Sequence, residues 1–101
     1  MAQLAWAHSA DKHGVERADA LHAMQAVAIH VRSFDESRIP GGMRPDLFIG
    51  PKRERTDLIE VMAIIDHTDR DAGVFHVMPL RSKTLDRARL LIAEGRRDAR
   101  G

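Results

Sequence analysis

A carboxylate, an imidazole and a guanidinium are predicted to lie together on one face of a β-sheet. Glu60 and His76 belong to two segments with strand periodicity, and Arg81 follows directly after the second segment. If a third strand pairs as its pattern indicates, His30 and Arg32 project from the same face. A base, an acid and a guanidinium are what cleavage of RNA through its own 2′-hydroxyl requires. The sequence therefore predicts catalytic roles for Glu60, His76 and Arg81, with His30 and Arg32 binding the substrate.

Further basic side chains are concentrated in two places. Residues 81–101 hold seven Lys or Arg against three Asp or Glu, on a chain with a net charge of only +1. Lys83 lies in this segment, and Arg53 and Arg55 lie in a charged turn at residues 52–55. We expect these three to bind an anionic partner, either nucleic acid or an acidic protein. A solvated helix face with a basic tail, and a structural sheet histidine at His76, are the alternatives.

Metal, cofactor and protein-nucleophile chemistry have little support in the sequence. The chain has six histidines and no cysteine, and no HExxH motif is present. His8 and His13 are five residues apart, which is roughly 140° around a helix, so they would not converge on one ion. Gly41 and Gly42 stand between prolines as a turn and not as a phosphate loop. We therefore predict neither a metal nor a cofactor.

The stretch DLIEVMAIID at residues 57–66 is the predicted centre of the fold. Its residues alternate at a period of two, which is typical of a strand buried on both sides. One face is wholly apolar and consists of Ile59, Val61, Ala63 and Ile65. The other face carries Glu60 between apolar neighbours. The remaining elements should pair with this strand or pack on it.

The rest of the chain reads as two helices, three more strands and a last helix. The predicted helices cover residues 3–12, 15–25 and 85–94, the other strands cover 27–34, 47–49 and 74–80, and the long connections are a loop at 35–46 and a hairpin at 66–73. The second helix should bury a stripe that includes Leu21 and Met24, and the last strand should place Phe75 and Val77 on one side. Ile29 and Val31 should lie on the face opposite Glu60.

The predicted fold class is α+β, with N-terminal helices, a four-stranded antiparallel sheet and a C-terminal helix. A chain of 101 residues suits one domain, at residues 1–95, followed by a frayed basic tail at 96–101. No segment approaches the roughly 20 apolar residues that cross a bilayer, and the N-terminal residues do not form a signal-peptide pattern. We expect a cytoplasmic protein with no membrane partner.

Several short blocks resemble BrnT-type toxins. The blocks are Trp6, Lys12-His13-Gly14-Val15-Glu16, Phe48-Ile49-Gly50, Arg53-Glu54-Arg55, residues 58–61 and residues 75–81, so the resemblance covers roughly residues 6 to 94. The family's last strand ends in a serine-small-arginine motif, which this chain matches only at Arg81, and a usual glutamate of the final helix is replaced by Asp86-Arg87.

The resemblance implies a fold similar to RelE-type ribonucleases, which cleave mRNA without a metal and are neutralised by a cognate antitoxin. It implies that Arg81 and one of Arg53 or Arg55 are functional arginines. The first hypothesis is accordingly a toxin-like endoribonuclease with RNA and an antitoxin as partners. The second is a non-catalytic interaction module of the same fold that binds an acidic protein or nucleic acid. Both hypotheses allow a homodimer.

Overall fold

A computed structural model of the chain describes residues 3–37, 42–54, 57–66 and 71–95. Their elements follow the order β1 (Leu4–Trp6), a short 3-10 helix (His8–Asp11), α1 (Arg17–Gln25), β2 (Ile29–Val31), β3 (Asp46–Pro51), β4 (Leu58–Asp66), β5 (Asp71–Pro79) and α2 (Ser82–Ala93). The five strands form one sheet in the order β1-β5-β4-β3-β2. The β1–β5 pair is parallel, and the other three pairs are antiparallel. The predicted α+β class is confirmed, but the sheet has five strands where four were expected.

β4 lies at the centre of the sheet, as its sequence predicts, and separates two apolar cores. The α1-side core contains Ala20, Ala23, Phe48, Ile59, Val61, Ala63, Val74 and Val77. The α2-side core contains Val31, Phe34, Leu47, Ile49, Met62, Ala88 and Leu91. The two-faced alternation of β4 is therefore confirmed, because its odd-numbered residues face α1 and Met62 faces α2.

The predicted first helix is wrong over most of its length. Leu4–Trp6 is the edge strand β1, which pairs with residues 72–74 of β5. The backbone N–H of Ala72 donates to the Gln3 carbonyl at 2.8 Å, and the Ala7 N–H donates to the Val74 carbonyl at 2.9 Å. Because β5 offers unpaired backbone groups here, its edge supplies hydrogen bonds that outweigh a weak local preference for helix.

The other predicted elements exist with shifted ends. α2 begins at Ser82, three residues before the predicted start, and β2 is shorter and β3 longer than expected. The predicted hairpin at 66–73 is too long, because β4 ends at Asp66 and β5 begins at Asp71, and Asp46 of the predicted loop at 35–46 begins β3. Residues 38–41 and 67–70 of these two connections lie outside the described ranges. The predicted frayed tail at residues 96–101 also lies outside them. Among the described residues, no helix is long and apolar enough to cross a membrane.

α1 packs mainly through Ala20 and Ala23, and the predicted apolar stripe is buried at Ala20 and partly buried at Met24 but not at Leu21. Ala20 and Ala23 are fully buried, whereas Leu21 is 37% exposed. The reason lies in β3, where Gly50 faces the backbone of Ala23. Small residues on both elements let the helix backbone lie almost directly on the strand. Close approach of the two backbones, and not side-chain size, decides which face of α1 is buried.

A β-bulge in β5 changes which side chains share a face. Met62 pairs with His76 and Ala63 pairs with Val74, so Phe75 is the extra residue. Val74 therefore lies with Val77 in the α1-side core, while Phe75 packs on the other side. The prediction that Phe75 and Val77 share a face is wrong for this reason.

Replacing Gly50 by alanine should destabilise the fold. The new Cβ would overlap the Ala23 carbonyl oxygen and lie 2.9 Å from its carbonyl carbon, which the helix can relieve only by moving away. We expect a loss of about 1–3 kcal/mol in the free energy of unfolding, as measured by urea denaturation. Gly73→Ala is the matched control in the same sheet, because a Cβ there meets nothing within 4 Å. Equal stability of the two variants would contradict the close approach of α1 to β3.

Candidate active site

The buried carboxylate of Glu60 joins β4 to β5 and to the start of α2. Glu60 is 0% exposed. Its Oε1 accepts hydrogen bonds from the backbone N–H of Arg81 at 2.9 Å and from Arg81 Nε at 3.1 Å. Its Oε2 accepts from Arg81 Nη2 at 2.7 Å and lies 2.8 Å from His76 Nε2. Thr84, which is also buried, adds a side-chain hydrogen bond.

Local strand geometry explains why these groups meet. Glu60 pairs with Met78 across the antiparallel ladder. His76 lies two residues before Met78 in β5 and therefore projects from the same face. The pairing ends where the Leu80 N–H donates to the Leu58 carbonyl, and α2 begins just afterwards. The chain therefore turns at Arg81 with its N–H directed at Glu60. The grouping of Glu60, His76 and Arg81 on one face agrees with the sequence prediction.

The pKa of Glu60 identifies its role. Burial alone would raise this pKa, but hydrogen bonds from His76, Arg81 and Thr84 outweigh burial and lower the pKa to about 2. Reciprocally, the hydrogen bond to Glu60 raises the pKa of Arg81. Glu60 is consequently a carboxylate at neutral pH and a very weak base. It suits a positioning role better than the proton-transfer role that its sequence context suggests.

His76 presents one free ring nitrogen beside this carboxylate. Its side chain is 21% exposed. Since Nε2 faces an ionised carboxylate, we assign the proton of the neutral ring to Nε2, which leaves Nδ1 as an acceptor. In the part of the chain that the structure describes, no serine or threonine hydroxyl hydrogen-bonds to His76. Among the described residues, a nucleophile for His76 to activate would therefore be water or a group of the substrate.

A second imidazole, His13, faces His76. The ring centroids are 6.1 Å apart and the rings are inclined by 67°. His13 is exposed and follows the 3-10 helix, which packs along β5 through the hydrogen bond from Ser9 Oγ to the Phe75 carbonyl at 2.6 Å. His13 was predicted not to hold a metal with His8, and its contact with His76 was not predicted. Its place in the Lys12-His13-Gly14 block was the one available signal.

Two of the predicted substrate-binding residues lie elsewhere. His30 faces the α1-side core, where its ring stacks on Phe48 at 4.2 Å and its Nε2 lies 2.8 Å from Asp46 Oδ2. The prediction that His30 shares a face with Glu60 is wrong, because the β2–β3 register sets His30 opposite Phe48. Ile29 and Val31 accordingly face α2 and lie on the same side as Glu60. Arg32 is exposed and follows the last residue of β2, outside the sheet.

Arg53 is held on the α1 side of the sheet. Its Nε donates to Asp19 Oδ1 at 2.8 Å, its backbone N–H donates to the same oxygen at 3.0 Å, and its Nη2 donates to Glu16. The side-chain hydrogen bond to Arg53 lowers the pKa of Asp19, so this pair is ionised. Arg53 therefore forms no phosphate site with Arg81, whose side chain lies on the α2 side. The alternative, Arg55, lies outside the described residues.

Lys83 lies near Arg81 and lines a cleft of about 290 Å³ at the start of α2. The described residues contain no group of three or more His, Asp or Glu side chains that could hold a metal ion. The protein atoms alone thus offer a carboxylate-bound imidazole, a second imidazole and a guanidinium at one sheet edge. This set can transfer protons and stabilise negative charge.

No protein-family model, no curated protein and no solved structure matches this chain. The similarity to BrnT-type toxins rests on the sequence blocks alone.

The stability of the protein should depend on the ionisation of Glu60. Because the folded-state pKa is depressed, the contribution of Glu60 is present above its unfolded pKa of 4.5 and is lost as the pH falls towards about 2. A shift of this size corresponds to about 3 kcal/mol. Urea denaturation of wild type and Glu60→Gln should show a large difference at pH 7 that narrows towards pH 2. The exposed Asp86→Asn change in α2 should match wild type at pH 7, and a gap for Glu60→Gln that stays constant with pH would contradict the assignment.

Proposed function

We propose that the protein is a metal-independent endoribonuclease that acts on mRNA. The observation that carries the proposal is the buried Glu60 carboxylate, which holds the His76 imidazole and the Arg81 guanidinium at the same time. A carboxylate-oriented imidazole to which no hydroxyl of the described residues hydrogen-bonds suits a substrate that brings its own nucleophile. RNA does so through its 2′-hydroxyl.

In the proposed mechanism, His76 Nδ1 takes the proton of the 2′-hydroxyl, and O2′ attacks the neighbouring phosphorus. His13, in its protonated form, gives a proton to the departing O5′. The products are a 2′,3′-cyclic phosphate and a 5′-hydroxyl end. Glu60 orients His76 and does not touch the substrate.

Arg81 stabilises the charge that develops on the phosphoryl oxygens. Glu60 occupies its Nε and one Nη2 hydrogen, so the Nη1 group remains available for a phosphate. The guanidinium is already fixed in place by Glu60, which reduces the entropy lost when substrate binds.

The wider proposal is that this nuclease is a BrnT-like toxin with a cognate antitoxin. The sequence blocks named above support it, and so does the exposed position of His13 beside His76, where a partner can reach it. An antitoxin would inactivate the protein by covering that sheet edge.

A second candidate function is a non-catalytic module that binds an acidic protein or nucleic acid. It is favoured by the number of hydrogen bonds at Glu60. Both carboxylate oxygens of Glu60 accept hydrogen bonds, and Arg81 donates to them from its backbone and from its side chain. Such a cluster also serves as a purely structural link between the sheet and α2. In that case the basic side of α2 would bind the partner without chemistry.

Purified protein should cleave single-stranded RNA in the presence of EDTA. His76→Gln keeps a donor for Glu60 but removes the base, so we expect its rate to fall by about 10²–10⁴-fold, as for other lost general bases. The cleavage rate of His13→Gln should fall by a similar factor. For each variant, cleavage is measured by the 2′,3′-cyclic phosphate ends of the products. His8→Gln, at an exposed histidine of the 3-10 helix, should keep the wild-type rate. An inactive wild type, or equal rates for wild type and His76→Gln, would leave the binding module as the better proposal.

Induced expression of the wild-type protein in bacteria should stop growth and shorten transcripts. Expression of Arg81→Lys should do neither, because lysine keeps the positive charge but cannot make the forked contact of a guanidinium. Arg53→Ala should remain toxic, because Arg53 is paired with Asp19 on the other side of the sheet. Growth and transcripts are the readouts. Equal growth with intact transcripts for wild type and Arg81→Lys would remove the toxin proposal.

A further inference from the structure

A cleft adjoins the candidate active site at Arg81. It measures about 290 Å³ and is lined by Phe34, Asp35, Met62, Arg81, Lys83, Thr84 and Arg87. Arg81 and Thr84 also contact Glu60, and Met62 pairs with His76 in the sheet. The cleft and the His76 site are therefore two parts of one surface, with Arg81 belonging to both.

Positive charge predominates in this cleft. Glu60 compensates Arg81 through a close forked pair, whereas Asp35 Oδ1 pairs with Arg87 Nη1 at 3.4 Å, which is longer than a usual N–H···O hydrogen bond. Lys83 is exposed and makes no ion pair within the described ranges. Three cations against two carboxylates leave an excess positive charge, which is centred on Lys83.

Arg87 is held in place before any ligand arrives. Its Nη2 donates to the Phe34 carbonyl at 2.8 Å, and its guanidinium carbon lies 4.7 Å from the centre of the Phe34 ring. Phe34 is itself only 2% exposed, so it forms a rigid base for the guanidinium. A fixed Arg87 beside an exposed lysine that makes no ion pair within the described ranges is an arrangement that suits a phosphate group.

We propose that this cleft binds a second phosphodiester of single-stranded RNA, on Lys83 and Arg87, next to the phosphodiester that is cleaved. The inference rests on the proposed function. It states where the RNA strand would lie beyond the phosphodiester at Arg81. The volume is at the lower end of the range of about 300–1,000 Å³ that small-molecule sites occupy. It admits one nucleotide unit of a flexible strand and not a duplex.

The test uses a fluorescein-labelled 2′-O-methyl oligonucleotide, which lacks the attacking hydroxyl, so its binding does not depend on cleavage. Fluorescence anisotropy should show that Lys83→Ala binds about tenfold more weakly than wild type. The slope of log K against log salt should fall by about 0.7 for one lost phosphate contact on a single strand. Arg89→Ala is the matched control, because Arg89 is an exposed cation of α2 that does not line the cleft.

The inference would be overturned by the absence of binding by wild type, by the same affinity and slope for Lys83→Ala, or by an equal loss of affinity for Arg89→Ala. Competition by polyglutamate as effective as that by unlabelled oligonucleotide would instead assign the cleft to an acidic peptide, and so would also overturn it. If neither wild type nor any variant cleaves RNA but binding of the oligonucleotide depends on Lys83, the nuclease proposal fails and the assignment of the cleft to RNA binding stands.

Discussion

The structure depends on a charge buried at the centre of the sheet. An ionised carboxylate loses several kcal/mol of hydration when it is buried, so Glu60 is stable only because other groups surround it with hydrogen bonds. Those groups come from three places: His76 in β5, the backbone and side chain of Arg81, and Thr84 in α2. If β5 shifted in register or α2 began elsewhere, the carboxylate would lose donors. The same hydrogen bonds thus fix the position of α2 and prepare a histidine and an arginine for chemistry.

The cations of the chain are divided between the two faces of the sheet, and this division limits the possible function. Arg53 is paired with Asp19 in α1 and with Glu16 just before α1, so its positive charge is compensated. On the α2 face, Arg81 is compensated by Glu60 and Arg87 only weakly by Asp35, while Lys83 makes no ion pair in the described part of the chain. Of these four cations, the two that are least compensated, Lys83 and Arg87, both belong to α2. The net charge of +1 does not show where on the surface the charges lie.

The edge of β5 shows how backbone pairing positions side chains. β1 covers residues 72–74 of β5, and the 3-10 helix continues past the bulge at Phe75. This route brings His13 to His76, although 62 residues separate them in the chain. The bulge keeps Val74 and Val77 in one core and leaves His76 on the face of Glu60. An irregularity of a single residue therefore decides whether the histidine reaches the carboxylate.

The sequence by itself determined the α+β class, the central position and two-faced character of β4, the helices α1 and α2, and the grouping of Glu60, His76 and Arg81. These features follow from periodicity within one segment or from neighbouring strands, where alternation is a local geometric rule. Only the tertiary structure decided that residues 4–6 form a strand, that His30 faces α1, and that Arg53 pairs with Asp19. Each of these depends on a partner far along the chain. Residues 4–6 need the open edge of β5, the direction of His30 depends on its pairing with Phe48, and Arg53 reaches Asp19 because α1 lies close to Gly50. A pattern of residue types shows which faces a segment has, but the pairing register and the distance between backbones decide what each face meets.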